Sequence, residues 1–512
     1  MSVRWPSRDM EPQTLKTIAE WSQGELVNAS PVTKARAVST DSRAVQPGDL
    51  FVALAGENFD AHDFLVDVCA KGAVAAVVNR DRRAALPPGI SFIAVENTRA
   101  ALGLIASNYR RLFDLTAIAI AGSNGKTSTK EFVAAVLREK FPTVWSAASF
   151  NNDVGVPLTL LSIDRAHRAG VFEAGTNHPG ELRPLLEMIQ PRIGIITSIG
   201  REHLEFFGDL EGVLLEEGQL AEALPPGGLL VLDGDGYGND SLTRRTVARL
   251  ARVGFNATND WRLRVLEMGR RGSRFSVQSD APELDGEYSI QLLGSHQVLN
   301  AAYAIVVGKE LGLGRAEIQR GLASCTGAKM RLQLKSIDDF LVLDDAYNAN
   351  ADSMNAAIDT LQRFPCKGRR IAVLGDMAEL GEASAPAHEE VGRRVAETKI
   401  DCLVAVGKSS GIMASAARSA GLREVLDLAE IEKVGPAVTE IVRPGDVVLV
   451  KASRSSRLER VIDFLAAHFG PPPSRVCPTS PKSGSRGRSP SPIAPQQGEG
   501  ERPREPLEDR PI

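Results

Sequence analysis

A chain of 512 residues has room for about three domains, and its 43% hydrophobic content can supply a core for each. The net charge of −4 gives no global pull toward nucleic acid or an anionic membrane, and five cysteines without paired spacing (Cys69, Cys325, Cys366, Cys402, Cys477) argue against a disulfide framework and a zinc site. The N-terminus lacks an apolar leader core, and no segment has the roughly 18 consecutive apolar residues of a membrane-spanning helix, so a soluble cytoplasmic protein is expected.

Short apolar runs alternate with amphipathic stretches to about residue 470, which predicts α/β layers on mostly parallel sheet. The first unit, residues 1–112, holds strand-like runs at 49–55 and 73–78 and a helix-like stretch at 100–113. The second, 113–328, opens on a strand at 115–121 and runs through strands at 193–197 and 228–232 to a helix at 300–311. The third, 329–470, repeats the alternation with strands at 340–343, 370–374, 402–406 and 447–450. Their glycine or polar ends suit ligand-facing strand termini. Residues 471–512 contain 11 prolines and almost no large apolar side chains, so they are expected to be a disordered tail.

The chemistry concentrates in residues 118–130, Ile-Ala-Ile-Ala-Gly-Ser-Asn-Gly-Lys-Thr-Ser-Thr-Lys, where a glycine-rich loop joins an apolar strand to a helix. Gly122 and Gly125 let backbone N–H groups turn inward, Lys126 supplies a charge for the outer phosphates, and the Thr127 hydroxyl can hold Mg²⁺. ATP handling is implied. The full P-loop pattern also asks for glycine at position 120, which is Ile120, so the motif is shortened; an ordinary strand-to-helix turn is the plain alternative. Beyond it lie paired amides at Asn151 and Asn152, Glu173 closing an apolar run, and His203 just past another strand. A threonine, a carboxylate and a neutral imidazole at strand ends form a sparse Mg²⁺ shell completed by phosphate and water. Singly, each has an ordinary reading as turn former, strand-end charge or helix-start residue.

Taken together, these segments resemble the Mur ligases, the ATP-dependent amide-forming enzymes of peptidoglycan synthesis, over residues 33–468. Ser39-Thr-Asp-Ser-Arg43, Pro47-Gly-Asp-Leu-Phe51 and Gly56-Glu-Asn-Phe-Asp-Ala-His-Asp63 resemble the uridine-diphosphate-binding part of that family. The stretches 151–157, 176–181, 343–350, 373–381 and 450–456 resemble its dipeptide-adding members. The resemblance implies a three-domain α/β architecture with a central P-loop mononucleotide-binding domain and a Rossmann-like C-terminal domain that binds the incoming dipeptide. It also implies a monomer that uses ATP and Mg²⁺ to join D-Ala-D-Ala to a UDP-muramoyl-tripeptide through an acyl phosphate. The third residue of the tripeptide, lysine or diaminopimelate, stays open.

By the same resemblance, Gly122, Ser123, Asn124, Gly125, Lys126, Thr127 and Ser128 hold phosphates, with His296 and Asn300 near adenine and Arg331 and Asp345 reaching the nucleotide from the third unit. Ser42, Arg43, Asn151, Asn152, Thr176, Asn177, His178, Asn348 and Asn350 are the implied substrate contacts. Lys126, Glu173, His203 and Glu217 form the catalytic set, and Thr127, Glu173, His203 and Glu217 the metal set. One position departs from the family: where a lysine is normally carbamylated by CO₂ to help bind Mg²⁺, this chain has Glu217. Either a carboxylate is encoded directly, or Glu216 and Glu217 form a solvated helix face and the site has decayed. A folate polyglutamate synthetase should lack the first unit and the 344–350 segment, which disfavours that reading; a non-catalytic ATP-binding scaffold is disfavoured by the intact Lys126, Thr127, Glu173 and His203.

Overall fold

Three sheets follow one another along the chain in a computed structural model that describes residues 9–56, 59–85 and 88–470. The tail from 471 onward, and Glu57 and Asn58 of the uridine-type segment, lie outside the described residues. The first sheet has six strands in the order Asp9–Thr14, Lys34–Ser39, Asp49–Val52, Ala75–Asn79, Phe92–Val95, Glu25–Val27, parallel in the middle and antiparallel at both edges. The helix expected at 100–113 spans Thr98–Arg110, because the Asn97 side chain accepts from the N–H groups of Arg99 and Ala100 and so starts it earlier.

The second sheet has nine strands, and in its parallel part Thr116–Ala121 lies between Ile193–Ile196 and Ala169–Glu173. All three run parallel and are buried on both faces, which explains why they read as continuous apolar runs. Their register sets Ile120 opposite Glu173 and Ala121 opposite Ile196, so the phosphate loop, Glu173 and the segment leading to His203 emerge side by side at one sheet end. That is where ligands bind open α/β sheets. The helix expected at 300–311 begins earlier, at Ser295, and ends at Glu310.

An antiparallel meander, Trp261–Gly269, Gly272–Gln278 and Gly286–Ile290, extends this sheet and has no counterpart in the sequence reading. Its strands bury only alternate residues and carry many charges on the wet face, so they lack the continuous apolar runs of the parallel strands.

The third sheet runs Gln333–Ile337, Phe340–Asp345, Val447–Lys451, Arg370–Leu374, Cys402–Val406, Glu424–Leu428, parallel except for the first pair. First and second units share a core: Leu102, Ile105 and Tyr109 of the Thr98–Arg110 helix pack with Ala117, Ala119, Phe172 and Leu186. Tyr109 adds direction, its hydroxyl donating to the Ile163 carbonyl (2.6 Å) and accepting from the Glu11 N–H (2.7 Å). A buried phenol with both roles filled fixes the relative placement of these layers.

Candidate active site

The loop after Thr116–Ala121 needs glycine twice for steric reasons. Gly122 has φ +110°, and a Cβ there would meet Thr197 Oγ1 at 2.6 Å; Gly125 has φ +92°, and a Cβ would meet Asn300 Oδ1 at 2.5 Å. The loop amides divide into two groups. The N–H of Gly122 donates to Glu217 (2.7 Å), that of Ser123 to the Ser198 carbonyl (2.9 Å) and that of Asn124 to Ser198 Oγ (3.0 Å), so these three hold the loop in shape. The helix Lys126–Leu137 then starts at Gly125, and its first N–H groups lack intrahelical acceptors, the arrangement that suits an anion at a helix N-terminus.

These residues floor a cavity of about 720 Å³ between the second and third units, which Arg99 of the Thr98–Arg110 helix also lines. Ser123, Asn124, Gly125, Lys126, Thr127, Asn151, Asn152, Glu173, Thr176, Asn177, His203, Arg331, Asn348 and Asn350 all line it. Gly122, Ser128, His178, Glu217, His296, Asn300 and Asp345 do not, although several support residues that do. Ser42 and Arg43 lie apart from it: Arg43 forks onto Asp41 (2.9 and 3.0 Å), and the Ser42 carbonyl accepts from Lys71 (2.8 Å).

The Lys126 side chain is largely enclosed (14% exposed). Its ammonium donates to the Gly122 carbonyl and sits 3.5 Å from Glu202. Burial works against its charge, but Glu202, Glu217 and Glu173 outweigh burial and hold its pKa above the usual lysine value. Glu202 escaped the sequence reading. Burial pushes its carboxyl up to about 8 against the pull of Lys126, with Glu217 adding to the rise. Burial also raises Glu217, opposed by Lys126 and the Gly122 N–H.

Neither glutamate of the 216–217 pair is a solvated helix face; their exposures are 4% and 1%. Glu216 is consumed structurally, accepting from the N–H groups of Gly180 and Leu182 (both 2.8 Å) and from Gln219 (2.6 Å). Glu217 points one oxygen at Gly122 and leaves the other buried without a partner.

Glu173 is similar: Oε1 accepts from Asn151 (2.9 Å) and Thr127 (3.2 Å), while Oε2 is buried without a hydrogen-bond donor, 3.8 Å from Lys130. Among the described residues no three His, Cys, Asp or Glu side chains gather into a metal cage. The set on offer is therefore two unfilled carboxylate oxygens and a threonine hydroxyl. Hard oxygen donors that leave places for water and phosphate suit Mg²⁺, which seldom takes a complete protein cage.

His203 has φ +49° and starts the short helix Leu204–Phe207. Its Nδ1 pairs with Glu379 of the third unit at 2.5 Å, its Nε2 lies 4.0 Å from Glu202, and burial lowers its pKa. Asn152 caps the turn into Gly155–Leu160 by accepting from Gly155 N–H (2.9 Å). Thr176 donates to the His178 carbonyl (2.8 Å), Asn177 N–H to Glu181 (2.8 Å), and the His178 ring packs against Phe206 at 4.2 Å.

From the third unit, Asn350 caps the helix Ala351–Arg363 through Ser353 N–H (2.8 Å) and donates across the cleft to Asn124 (3.0 Å). Tyr347 donates to Ser149 (2.9 Å), and its ring carries the Arg331 guanidinium at 4.2 Å. Asp345 is held by buried Lys451 (2.7 Å), which also donates to the Asn348 carbonyl (2.9 Å); burial lowers the lysine's pKa and Asp345 opposes that. His296 is enclosed with Nδ1 unpartnered, and burial drives its pKa down to about 4.

Three family descriptions match in order: "Mur ligase family, catalytic domain" over residues 34–110, "Mur ligase middle domain" over 120–308 and "Mur ligase, glutamate ligase domain" over 330–454. The UDP-N-acetylmuramoyl-tripeptide–D-alanyl-D-alanine ligase of Escherichia coli K12 is 35% identical over 457 residues, 88% of this chain and 98% of that protein. The protein of the same name from Bacillus subtilis is 32% identical, with 89% and 99% covered. Among solved structures, MurF from Acinetobacter baumannii superposes with a TM-score of 0.81 at 30% identity, covering 89% of this chain and 99% of that one. MurF from Thermotoga maritima in complex with ADP gives 0.74 at 26% identity, covering 84% and 97%.

Proposed function

The chain belongs to the Mur ligase family, and from that premise we propose that its cleft joins D-alanyl-D-alanine to UDP-N-acetylmuramoyl-tripeptide at the expense of ATP, supplying the pentapeptide precursor of peptidoglycan. The observation that carries this reading is the convergence on one cavity of a phosphate loop, buried carboxylates and a facing wall from the third unit. The domain limits are taken at 112, 328 and 470, with the enzyme acting as a monomer in the cytoplasm. No helix among the described residues is long and apolar enough to cross a membrane.

Ligation requires the tripeptide's terminal carboxylate to attack the γ-phosphorus of ATP, releasing ADP; the dipeptide amine then attacks the acyl carbon, and inorganic phosphate departs. The first step brings two anions together at phosphorus and the second needs a neutral amine held against the acyl carbon, so the protein acts mainly by positioning and charge neutralisation. Lys126 leaves the Gly122 carbonyl for the phosphates, and the N–H groups of residues 125–128 donate to the remaining phosphate oxygens. Thr127, Glu173 and Glu217 would hold Mg²⁺, with His203 as a further donor, and the ion would supply further neutralisation of the transferring phosphoryl group. Asn151 orients Glu173, and the Gly122 N–H orients Glu217. Arg331 and the Asp345–Lys451 pair complete the nucleotide side, and Asn348 and Asn350 face the dipeptide.

Incubation of the purified chain with ATP, Mg²⁺, UDP-muramoyl-tripeptide and D-Ala-D-Ala tests this by mass spectrometry of the nucleotide product. The pentapeptide is expected with either lysine or diaminopimelate as third residue. No mass gain with both tripeptides refutes the assignment.

A further inference from the structure

Arg201 joins the phosphate-loop side of the cleft to two helices of the third unit. Its N–H donates to Asp352 Oδ2 (2.7 Å), and Nε and Nη2 donate to Asp352 Oδ1 (3.0 and 2.7 Å). Nη1 and Nη2 also reach the two oxygens of Glu390 (2.6 and 3.0 Å). Asp352 lies in the first turn of Ala351–Arg363, and Glu390 on the neighbouring helix Ser384–Glu397. Asn355 ties the two by donating to Glu390 (2.9 Å). One guanidinium therefore clamps a carboxylate from each helix, a geometry that a lysine's point charge does not reproduce.

On the other side, the residue before Arg201 is bound to the phosphate loop. Gly200 N–H donates to Ser123 Oγ (2.8 Å), and a Cβ at Gly200 would meet Asp352 Oδ2 at 2.7 Å, so the third unit's carboxylate rests directly against this turn. Arg201 does not line the cavity. The paired groups respond as a tight cluster should: the Glu390 and Asp352 carboxylates raise the arginine, and Arg201 lowers Glu390.

We infer that Arg201 is a positioning residue: it sets the register of the third unit on the phosphate loop and thereby fixes where the dipeptide-facing segment 347–350 meets the activated carboxyl group. This rests on the reading of the cleft as a ligase site. The other bonds named across this face, Asn350 to Asn124, Tyr347 to Ser149 and His203 to Glu379, are single polar contacts. Removing Arg201 takes away the cation that joins Asp352 to Glu390, so the clamp loses its attraction, while Arg393 still acts on Glu390 from the third unit itself. A misplacement of about 1 Å at a reacting centre is enough for a hundredfold loss of rate.

The test compares wild type, Arg201→Ala, Arg201→Lys, Arg201→Glu and the charge exchange Arg201→Glu with Asp352→Arg, using full-length protein. Expected in Arg201→Ala are a fall in kcat of about a hundredfold, a raised KM for D-Ala-D-Ala, and a KM for UDP-muramoyl-tripeptide within about twofold of wild type, since that substrate's contacts lie elsewhere. Arg201→Lys should fall between, and the charge exchange should recover about tenfold over Arg201→Glu alone. Small-angle scattering without substrates should show a larger radius of gyration for Arg201→Ala. A kcat within threefold of wild type overturns the inference, as does a uniform loss that follows the melting temperature with no change in any KM. If wild type does not ligate at all, the functional reading fails, and scattering still decides: superimposable profiles of wild type and Arg201→Ala overturn the positioning role.

Discussion

Replacing Glu217 is the sharpest perturbation of the metal-side chemistry, because its two oxygens do different things. Oε2 accepts the Gly122 N–H at 2.7 Å, and Oε1 is buried and unfilled. Glu217→Ala leaves that buried N–H without an acceptor, at a cost of about 1–3 kcal/mol, and deprives Lys126 of one of the three carboxylates that stabilise its charge. If that cost falls on the loop geometry needed in the transition state, about 1.4 kcal/mol per tenfold translates it into a roughly 5- to 140-fold fall in kcat/KM. Glu217→Gln keeps an oxygen for Gly122 but removes the charge, so it should lose activity while melting close to wild type. A carbamylated lysine depends on dissolved CO₂; a glutamate does not. The assay is ADP release in CO₂-depleted buffer, with Mg²⁺ titrated and formate added. Wild type should be indifferent to CO₂, and Glu217→Ala should need more Mg²⁺ and recover in part with formate. Wild-type turnover and Mg²⁺ dependence in Glu217→Ala would refute the reasoning.

Three further outcomes are expected. Lys126→Met should abolish ADP release and also lower the melting temperature, because Glu173, Glu202 and Glu217 lose the cation they enclose; unchanged turnover removes Lys126 from the reaction. Glu202, raised from 4.5 to about 8, favours the folded state fully below pH 4.5 and loses that contribution as pH rises through 8. The size is on the order of a few kcal/mol, so Glu202→Gln should flatten the decline of denaturant stability between those pH values, and an unchanged slope contradicts the shift. Asn350→Ala removes a helix cap and the bond to Asn124, so it should cost about 1 kcal/mol in denaturant unfolding and proportionately more in kcat; a loss of stability alone reduces Asn350 to a cap.

Legibility in the sequence followed the range of the interaction. The strand, turn and helix of residues 116–137 are local, and Glu173 and the approach to His203 are adjacent because parallel register aligns the ends of neighbouring strands. The resemblance singled out Glu217 at the position of the family lysine, but the surroundings of the 216–217 pair were not legible, since only the fold turns Glu216 toward the Gly180 and Leu182 amides and Glu217 toward Gly122. Glu202 was overlooked because nothing local marks it; its partner Lys126 is 76 residues away and meets it only across the sheet end. The same holds for Arg201, with partners 151 and 189 residues downstream, and for the Asp345–Lys451 pair, 106 apart. The 261–290 meander was missed because half-exposed antiparallel strands present alternating polarity without a long apolar run.

The central claim is that this cleft uses ATP to activate a carboxyl group for attack by an amine. It is tested most directly with UDP-muramoyl-tripeptide carrying ¹⁸O in both oxygens of its terminal carboxylate. If an acyl phosphate forms, one labelled oxygen bridges carbon and phosphorus and leaves with the phosphate, so each inorganic phosphate released during pentapeptide synthesis should carry one ¹⁸O and each new amide should retain the other. Unlabelled phosphate accompanying labelled pentapeptide, or phosphate released at the same rate without D-Ala-D-Ala, would contradict it.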